Sequence, residues 1–249
     1  MNQPVKDHIR HIIYRTMCTT AFARRIEWRK MLAWLDSRKG EKVLDIACGA
    51  GELSLKIAER GGEVYGIDIS EEAIQSARRL AIRAKIRAEF RTGDAERLPF
   101  PDASFDKIIC SSSLEHFKND VLALGEMRRV LKPHGKAILT VDSLTYPISP
   151  ELKERHRKMC AVEHYYTRRE LEKSLNAAGL KMGRSEYLLT SFLTSFFFKR
   201  WIKNNRSRVE PLFVALLGHP LFLVSDRLFG ARDAGYTLIA EAVKADQAA

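Results

Sequence analysis

The sequence predicts a doubly wound α/β fold, and three observations support this prediction. Short apolar runs alternate with amphipathic helical patterns through the middle of the chain. A turn that contains glycine follows the first of these apolar runs. The chain has 249 residues, of which 45% are hydrophobic and 29% charged, a balance typical of a globular protein with a sizeable core. We therefore expect residues 1–249 to form a single domain.

The first half of the predicted sheet begins with a buried strand at Val43–Ala47, which leads into a helix at Glu52–Arg60. The second and third strands are expected at Glu63–Ile67 and Ala88–Thr92. Between them, Ser70 is placed to cap a helix whose first turn is acidic. Strand–helix alternation of this kind favours parallel pairing with right-handed crossovers.

The second half of the sheet is predicted from the same alternation. A helix is expected at Asn119–Leu131, and the turn at Lys132–Gly135 would end it. Thr167 and Glu170 have the spacing of a capping box, and Gly179 is placed to end the helix that they begin. The remaining strands are expected at Asp106–Ser111, Lys136–Asp142, Leu180–Leu188 and Tyr236–Val243.

Residues suited to binding a nucleoside follow three of these strands. Gly49 and Gly51 allow the backbone after the first strand to pass close to a ligand. Asp68 ends the second strand, where a carboxylate can accept hydrogen bonds from ribose hydroxyls. Asp94 follows the third strand, where it can accept from an adenine amino group. In doubly wound sheets, ligands bind at this carboxyl edge.

The charges around the glycine turn help to separate two classes of ligand. A dinucleotide site presents backbone N–H groups to a pyrophosphate, which Asp45 and Glu52 would repel. The third glycine of the dinucleotide fingerprint is also missing, since Ser54 stands there. S-adenosylmethionine has no phosphate and carries a sulfonium and an ammonium group, which acidic surroundings suit. The residues therefore favour S-adenosylmethionine over NAD.

Four motifs in order resemble the class I S-adenosylmethionine-dependent methyltransferases, and more narrowly the ubiquinone and menaquinone C-methyltransferase branch. The motifs are VLDIACGAGELSL, VYGIDIS, GDAERLPFPDASFDKIICSSSLEHF and EMRRVLKPHGKAILTV. The resemblance covers residues 41–142 and recurs at 164–180 and 236–243. It implies a Rossmann-like sheet of seven strands, of which the last is antiparallel.

The resemblance also implies a set of residues around the methyl donor. Ala47 stands where glycine is commoner in the family. Turn geometry alone is the alternative for Ala47, Gly49 and Gly51, and helix or turn capping is the alternative for Asp68 and Asp94. The implied cofactor-binding residues are Asp45, Ala47, Gly49, Gly51, Asp68, Ile69, Asp94, Ala95, Leu98, Ser111 and His116.

Methyl transfer is an in-line displacement, so much of its catalysis is positioning, and a base is needed only when the nucleophile loses a proton. His116 and His164 are the candidate bases, and Tyr165 adjoins the second. His116 could instead close the donor pocket, and His164 and Tyr165 could pack their loop. No metal-ligand spacing is found, and the acceptor atom (carbon, oxygen or nitrogen) stays open.

Two segments flank the predicted core of residues 41–188 and 234–244. Residues 1–40 are expected to form an N-terminal helical cap, with two amphipathic helices over 4–37. Residues 189–233 are expected to form an apolar and basic helical insertion. The net charge of +11 is concentrated in these flanks, because residues 1–42 hold ten basic and four acidic residues, and 181–232 hold nine and three.

The apolar blocks at 187–198 and 211–224 are too short to span a bilayer. Their position beside basic residues and Trp201 indicates an element that lies on anionic lipid. We therefore expect a small hydrophobic or lipid-linked acceptor, such as an isoprenoid quinone, a polyprenyl compound or a lipid. A lid, a homodimer interface or a nucleic-acid contact is the alternative use of these blocks. An RNA methyltransferase and a non-catalytic cofactor-binding module are the alternative functions.

The N-terminus lacks the apolar core of a signal peptide, and the four cysteines are scattered. Both features fit a reducing compartment. We therefore expect a cytoplasmic protein with peripheral contact to the inner face of the membrane.

Overall fold

Strands and helices alternate along the chain as the apolar pattern predicts. The structure is a computed structural model that describes residues 19–204 and 212–245. In these ranges the strands are β1 (Lys42–Ile46), β2 (Glu63–Asp68), β3 (Ala88–Thr92), β4 (Phe105–Ser111), β5 (Leu131–Asp142), β6 (Leu180–Leu188) and β7 (Thr237–Lys244). The helices are α1 (Thr19–Leu35), α2 (Glu52–Ala58), α3 (Glu71–Ala84), α4 (Asp120–Val130), α5 (Pro150–Cys160), α6 (Arg168–Ala177), α7 (Phe192–Asn204) and α8 (Leu212–Phe229), with a 3-10 turn at Leu114–His116.

All seven strands form one sheet in the order β3-β2-β1-β4-β5-β7-β6. The β1–β2, β1–β4, β2–β3 and β4–β5 pairs are parallel. β7 runs antiparallel to β6, because Tyr236 N–H donates to the Leu188 carbonyl at 3.1 Å and Ala245 N–H donates to the Gly179 carbonyl at 3.2 Å. The predicted Rossmann-like fold with an antiparallel last strand is thus confirmed.

The central strands are buried on both faces, which is why they read as continuous apolar runs rather than as alternating ones. In β1, Val43, Leu44 and Ile46 are fully buried, and only Lys42 is exposed. A strand of this kind cannot face water, so helices cover the sheet.

Three helix ends lie where the sequence predicts them. The Ser70 hydroxyl caps α3 by accepting a hydrogen bond from Ala73 N–H at 3.2 Å. Thr167 and Glu170 form the reciprocal capping box of α6. Gly179 has φ = 73° just beyond the same helix, a backbone conformation that favours glycine.

The predicted turn at Lys132–Gly135 lies inside β5, so its prediction as a separate turn was wrong. Phe105 pairs with Leu131, whereas Lys107 pairs with Lys136, so the four residues bulge out of the ladder. Pairing begins directly after α4 because Leu131 is fully buried. The strand therefore starts five residues earlier than the sequence predicts.

The described residues divide into two compact units. The larger unit comprises Lys30–Ser143, Glu163–Glu186 and the described residues of Leu238–Ala249. The smaller unit comprises the described residues of Met1–Arg29, Leu144–Val162 and Tyr187–Thr237. The single domain predicted over 1–249 stays a prediction.

The two predicted flanking segments are helical where they are described. α1 corresponds to the second of the two predicted N-terminal helices, and the first lies outside the described residues. The predicted insertion at 189–233 contains α7 and α8, and Pro220 lies within α8. Within the described ranges, no helix combines the length and the apolar character needed to cross a membrane.

Candidate active site

The turn between β1 and α2 holds three residues in the left-handed backbone region. Ala47, Gly49 and Gly51 have φ angles of 54°, 54° and 78°. A Cβ on Gly51 would lie 2.8 Å from Ala77 Cβ, so this glycine is required by packing. A Cβ on Gly49 would meet no atom within 4 Å, so the space beside the Gly49 Cα is open. The turn is thus packed on one side and open on the other.

Asp45 is buried beneath this turn, with 2% of its surface exposed. Its carboxylate accepts a hydrogen bond from the Ser54 hydroxyl at 2.5 Å, which joins β1 to the first turn of α2. Burial, with a smaller contribution from the charge of Asp68, raises the pKa of Asp45 from 3.8 to about 7. Asp45 can therefore change its charge near neutral pH when a charged group arrives beside it.

Asp68 links the end of β2 to the glycine turn. One carboxylate oxygen accepts from Gly49 N–H at 2.9 Å, and the other accepts from Ser70 N–H at 2.9 Å. These bonds hold the carboxylate in one orientation while it stays half-buried. Ile69 follows it with 76% of its surface exposed, so an apolar side chain stands beside an oriented acceptor.

The loop after β3 lies at the same carboxyl edge of the sheet as Asp68. Gly93 N–H donates to the Asp68 carbonyl at 3.0 Å, which fixes the loop beside β2. Asp94 is exposed, and one of its carboxylate oxygens accepts from Glu96 N–H at 2.9 Å. The Asp94 carboxylate thus has further acceptor capacity that faces solvent.

The loop after β4 carries the candidate base. The Ser113 hydroxyl donates to the Ser111 carbonyl at 2.8 Å, and the 3-10 turn that ends at His116 follows. The His116 side chain is exposed, whereas Glu115 is buried. A carboxylate oxygen of Glu115 accepts from Asp142 N–H at 3.3 Å, and its carbonyl accepts from His164 N–H at 3.2 Å. Glu115 thereby holds the turn that presents His116.

These loops enclose a cavity of about 450 Å³ at the carboxyl edge of the sheet. Half of the wall comes from residues that the sequence predicts. The predicted residues that line the cavity are Ala47, Asp68, Ile69, Asp94, Ala95 and His116. The structure therefore brings together residues from the ends of four different strands.

The other predicted residues do not line this cavity. Asp45 and Leu98 are buried, and Gly49, Gly51 and Ser111 lie in or beside the surrounding turns without contributing to the wall.

Two of the three candidate catalytic residues also lie away from the cavity wall. Tyr165 is buried. The exposed His164 ring packs edge-on against Tyr166, with 4.5 Å between the ring centroids. Of the three candidates, His116 alone is placed at the cavity.

Sequence reasoning missed several residues of the site. Ser54 appeared only as the residue that replaces a third glycine, yet it is the hydrogen-bond partner of Asp45. Glu96 lines the cavity and accepts from Asn119 N–H at 2.9 Å, and no sequence signal marks it. The other cavity residues without a prediction are Ile67, Gly93, Ser113, Phe117 and Lys118.

Fold and site together define a Rossmann-like fold with a cavity of about 450 Å³ at the carboxyl edge of its sheet. A model of the methyltransferase domain family matches residues 37–185. The chain belongs to this family, because the match covers more than half of its length.

Curated relatives are similar in sequence to part of this chain. The demethylmenaquinone methyltransferase of Thermus thermophilus is 35% identical over 134 residues, which cover 53% of this chain and 59% of the relative. A ubiquinone/menaquinone biosynthesis C-methyltransferase of Bordetella avium is 38% identical over 117 residues, which cover 45% and 46%. The chain thus spans about half of the length of the curated relatives that it matches.

A solved structure has the same fold. The YcgJ protein of Bacillus subtilis superposes with a TM-score of 0.62 over 88% of this chain and 98% of that chain, at 21% sequence identity. At this identity the likeness shows the fold alone.

Proposed function

We propose that the protein transfers a methyl group from S-adenosylmethionine to a small hydrophobic acceptor, for which an isoprenoid quinone is the class that its relatives indicate. The observation that carries this proposal is the oriented carboxylate of Asp68, held by Gly49 N–H in the glycine turn after β1, within the part of the chain that matches the methyltransferase family.

The hydrogen bonds within the glycine turn suit a methyl donor that has no phosphate group. Cys48 N–H donates to the Ile67 carbonyl, Gly51 N–H donates to the Cys48 carbonyl, and Gly49 N–H donates to Asp68. A pyrophosphate needs such N–H groups free. Because the protein itself uses them here, the turn is a poor cradle for a dinucleotide.

The charge of the cavity fits the same donor. Asp68, Asp94 and Glu96 contribute carboxylates to the wall, against one basic residue of fixed charge, Lys118. An acidic wall repels phosphates and attracts the cationic groups of S-adenosylmethionine. Asp45 lies close enough to Asp68 for the charge of Asp68 to raise the pKa of Asp45, so a cationic ligand would favour the ionised form of Asp45.

Each part of the donor then has candidate partners in this chain. Asp68 would accept hydrogen bonds from the ribose, while Asp94 and Ala95 would receive the adenine beside the exposed side chain of Ile69. Asp45 would balance the positive charge near the glycine turn. When bound, the donor supplies an electrophilic methyl group on a sulfonium.

The Cys48 thiol is not proposed as a nucleophile. Burial, and then the nearby charges of Asp45 and Asp68, raise the pKa of this thiol well above its usual range. Cys110 is fully buried. Both cysteines therefore serve as small core residues.

The acceptor is proposed from the relatives, which are a demethylmenaquinone methyltransferase and a ubiquinone/menaquinone biosynthesis C-methyltransferase. Transfer to a ring carbon forms a C–C bond, breaks the S–C bond and releases one proton from that carbon. The electron-rich ring of the reduced quinone is the better nucleophile for this step. His116 lines the cavity and can receive a proton from the acceptor.

A cytoplasmic location is part of the same proposal. Cys48, Cys110 and Cys160, the cysteines within the described residues, form no disulfide. This supports a reducing compartment, in which thiols persist.

Calorimetric titration of S-adenosylmethionine and of NAD tests the donor. We expect micromolar binding of S-adenosylmethionine, weak or no binding of NAD, and loss of donor binding in Asp68→Ala. Glu63→Gln is the matched control, since Glu63 lies at the opposite end of the same strand. Preference for NAD, or equal donor binding by both variants, would overturn the proposal.

A second measurement tests the acceptor. Transfer of a labelled methyl group to a short-chain demethylmenaquinol, monitored by mass spectrometry, should depend on both the donor and a reductant. A product that carries the methyl group on the ring carbon supports the quinone. A donor that binds without any transfer to this acceptor would contradict it.

A further inference from the structure

The helix α7 of the smaller unit exposes two of its aromatic side chains and buries two small polar ones. Phe192 and Phe196 are 77% and 51% exposed, one helical turn apart. Thr194 and Ser195, on the opposite side, are buried. At these four positions the arrangement is the reverse of a helix that packs on an apolar core and faces water. Elsewhere on the same helix, Phe197 and Phe198 pack against Phe222 and Tyr236, and Ile202 is fully buried.

Hydrogen bonds fix α7 in this orientation. A carboxylate oxygen of Asp226, in α8, accepts from Ser191 N–H at 2.9 Å and from the Thr194 hydroxyl at 2.9 Å. The Ser195 hydroxyl bonds the Tyr236 hydroxyl at 2.8 Å. Turning the phenylalanines inward would break these buried bonds, each of which is costly to leave unmade. The exposure of Phe192 and Phe196 is therefore built into the unit.

The same side of α7 becomes basic towards the end of the helix. Residues 192, 196, 200 and 203 follow at helical spacing, and Arg200 and Lys203 are exposed like the two phenylalanines. We call Phe192, Phe196, Arg200 and Lys203 the α7 stripe. The stripe has two aromatic residues at one end and two cations at the other.

Lys203 also lines a broad surface pocket beside α5. The pocket has a volume of about 840 Å³, and Arg155 and Lys158 line it together with Lys203. Glu151 and Glu154 are also in its wall, and Glu154 pairs with Lys158 at 3.5 Å. Counted with Arg200, the basic residues exceed the acidic ones, so this end of the unit attracts anions.

We propose that the α7 stripe binds the surface of an anionic lipid bilayer. Phe192 and Phe196 would enter the boundary between head groups and acyl chains, and Arg200 and Lys203 would contact the lipid phosphates. A bilayer offers an apolar interior and negative charge together, which matches the two ends of the stripe. A second copy that met the stripe with its own stripe would bring the same positive charges to the contact.

This inference goes beyond the proposed function and does not depend on it, because it involves neither the donor nor the acceptor. Flotation with vesicles of equimolar phosphatidylglycerol and phosphatidylcholine tests it without either reactant. We expect the full chain to float with these vesicles at low salt, to float much less with pure phosphatidylcholine, and to be released at about 0.5 M salt.

Two double variants separate the ends of the stripe. Phe192→Ser with Phe196→Ser should weaken vesicle binding by at least about tenfold. Arg200→Glu with Lys203→Glu should weaken it by more than about tenfold on anionic vesicles only. Ile82→Ser is the matched control, since Ile82 is 76% exposed on α3 of the larger unit, away from the stripe in sequence. The control should bind as well as the original chain.

Unchanged thermal unfolding temperatures in all three variants would show that their differences in vesicle binding come from the altered surface and not from a loss of folding. Absence of binding to anionic vesicles would overturn the inference, as would equal losses in the Ile82→Ser control. A dimer in analytical ultracentrifugation that dissociates in the phenylalanine variant, without vesicle binding, would assign the stripe to a second copy instead.

Discussion

The backbone N–H of Gly49 donates a hydrogen bond to the carboxylate of Asp68 at 2.9 Å. This bond joins the turn after β1 to the end of β2 and orients a carboxylate toward the cavity that both loops border. The position of Asp68 therefore depends on the backbone conformation of the turn. Gly49 has φ = 54° there, so a change at this glycine tests the turn directly.

Alanine at Gly49 and at Gly51 should have different effects. Gly51→Ala should destabilise the fold by about 2–4 kcal/mol, because its Cβ would lie 2.8 Å from Ala77 Cβ in an already unfavourable backbone conformation. Gly49→Ala meets no atom and should lose only about 1 kcal/mol from its backbone conformation. Urea unfolding followed by circular dichroism measures both. Equal losses of stability would contradict this account of the turn.

Gly49→Ala should nevertheless weaken the binding of S-adenosylmethionine by about tenfold or more, because its Cβ would occupy the open space beside Gly49 that the proposal assigns to this methyl donor. Calorimetry on the folded variant measures this loss. Full donor affinity in Gly49→Ala would place the donor elsewhere.

The buried carboxyl of Asp45 should make stability depend on pH in an unusual direction. Because its pKa is raised from 3.8 to about 7, its contribution to stability is present in full below pH 4 and is lost as the pH rises through 7. The loss can reach about 4 kcal/mol. Asp45→Asn keeps an acceptor for the Ser54 hydroxyl but cannot ionise, so it should gain stability relative to the original chain between pH 5 and pH 8.

Urea unfolding of both proteins at several pH values in this range provides the measurement. The difference between the two proteins removes the contributions of histidines and other groups that titrate in both. A difference that does not change with pH would show that Asp45 does not titrate in this window.

The strand ends could be predicted because buried strands and glycine turns leave a local signal in the sequence. Asp68 and Asp94 follow such strands directly, and both line the cavity. The contribution of Ser54 depends on a contact across nine residues that only the folded turn creates. Local patterns carry no record of such contacts.

The candidate catalytic loop shows the same limit. The sequence places His164 and Tyr165 before a capped helix but does not indicate which part of the fold this loop packs against. In the structure, Glu163 N–H and His164 N–H donate to the Glu115 carbonyl, and Tyr166 N–H donates to the Asp142 carbonyl. These bonds hold Tyr165 in a buried position, away from the cavity wall.

Apolar periodicity alone does not fix the orientation of α7, because apolar residues such as Phe192, Phe197 and Ile202 lie on more than one side of the helix. The polar contacts made by Asp226 decide the orientation instead. Asp226→Ala should therefore destabilise the smaller unit by about 2 kcal/mol, because Thr190 N–H, Ser191 N–H and the Thr194 hydroxyl lose one shared acceptor.

Thermal unfolding measures this change, and Arg227→Ala, at the exposed neighbouring residue, is the matched control. Equal unfolding temperatures for the two variants would show that Asp226 does not hold the start of α7.

His116 should carry the largest catalytic effect of the candidate bases. His116→Gln keeps a polar side chain at the cavity but removes the proton acceptor, so kcat should fall by about 100-fold or more. Donor affinity should change only a few-fold. His164→Gln is the matched control, because this exposed histidine packs on Tyr166 and does not line the cavity.

The pH profile of methyl transfer separates the two roles open to His116. Loss of the acidic limb of kcat in His116→Gln, with the limb retained in His164→Gln, would identify His116 as the base. A rise in the KM for the donor with kcat unchanged would show instead that His116 closes the donor pocket. The second outcome would contradict the proposed proton transfer and leave the deprotonation to the acceptor itself or to water.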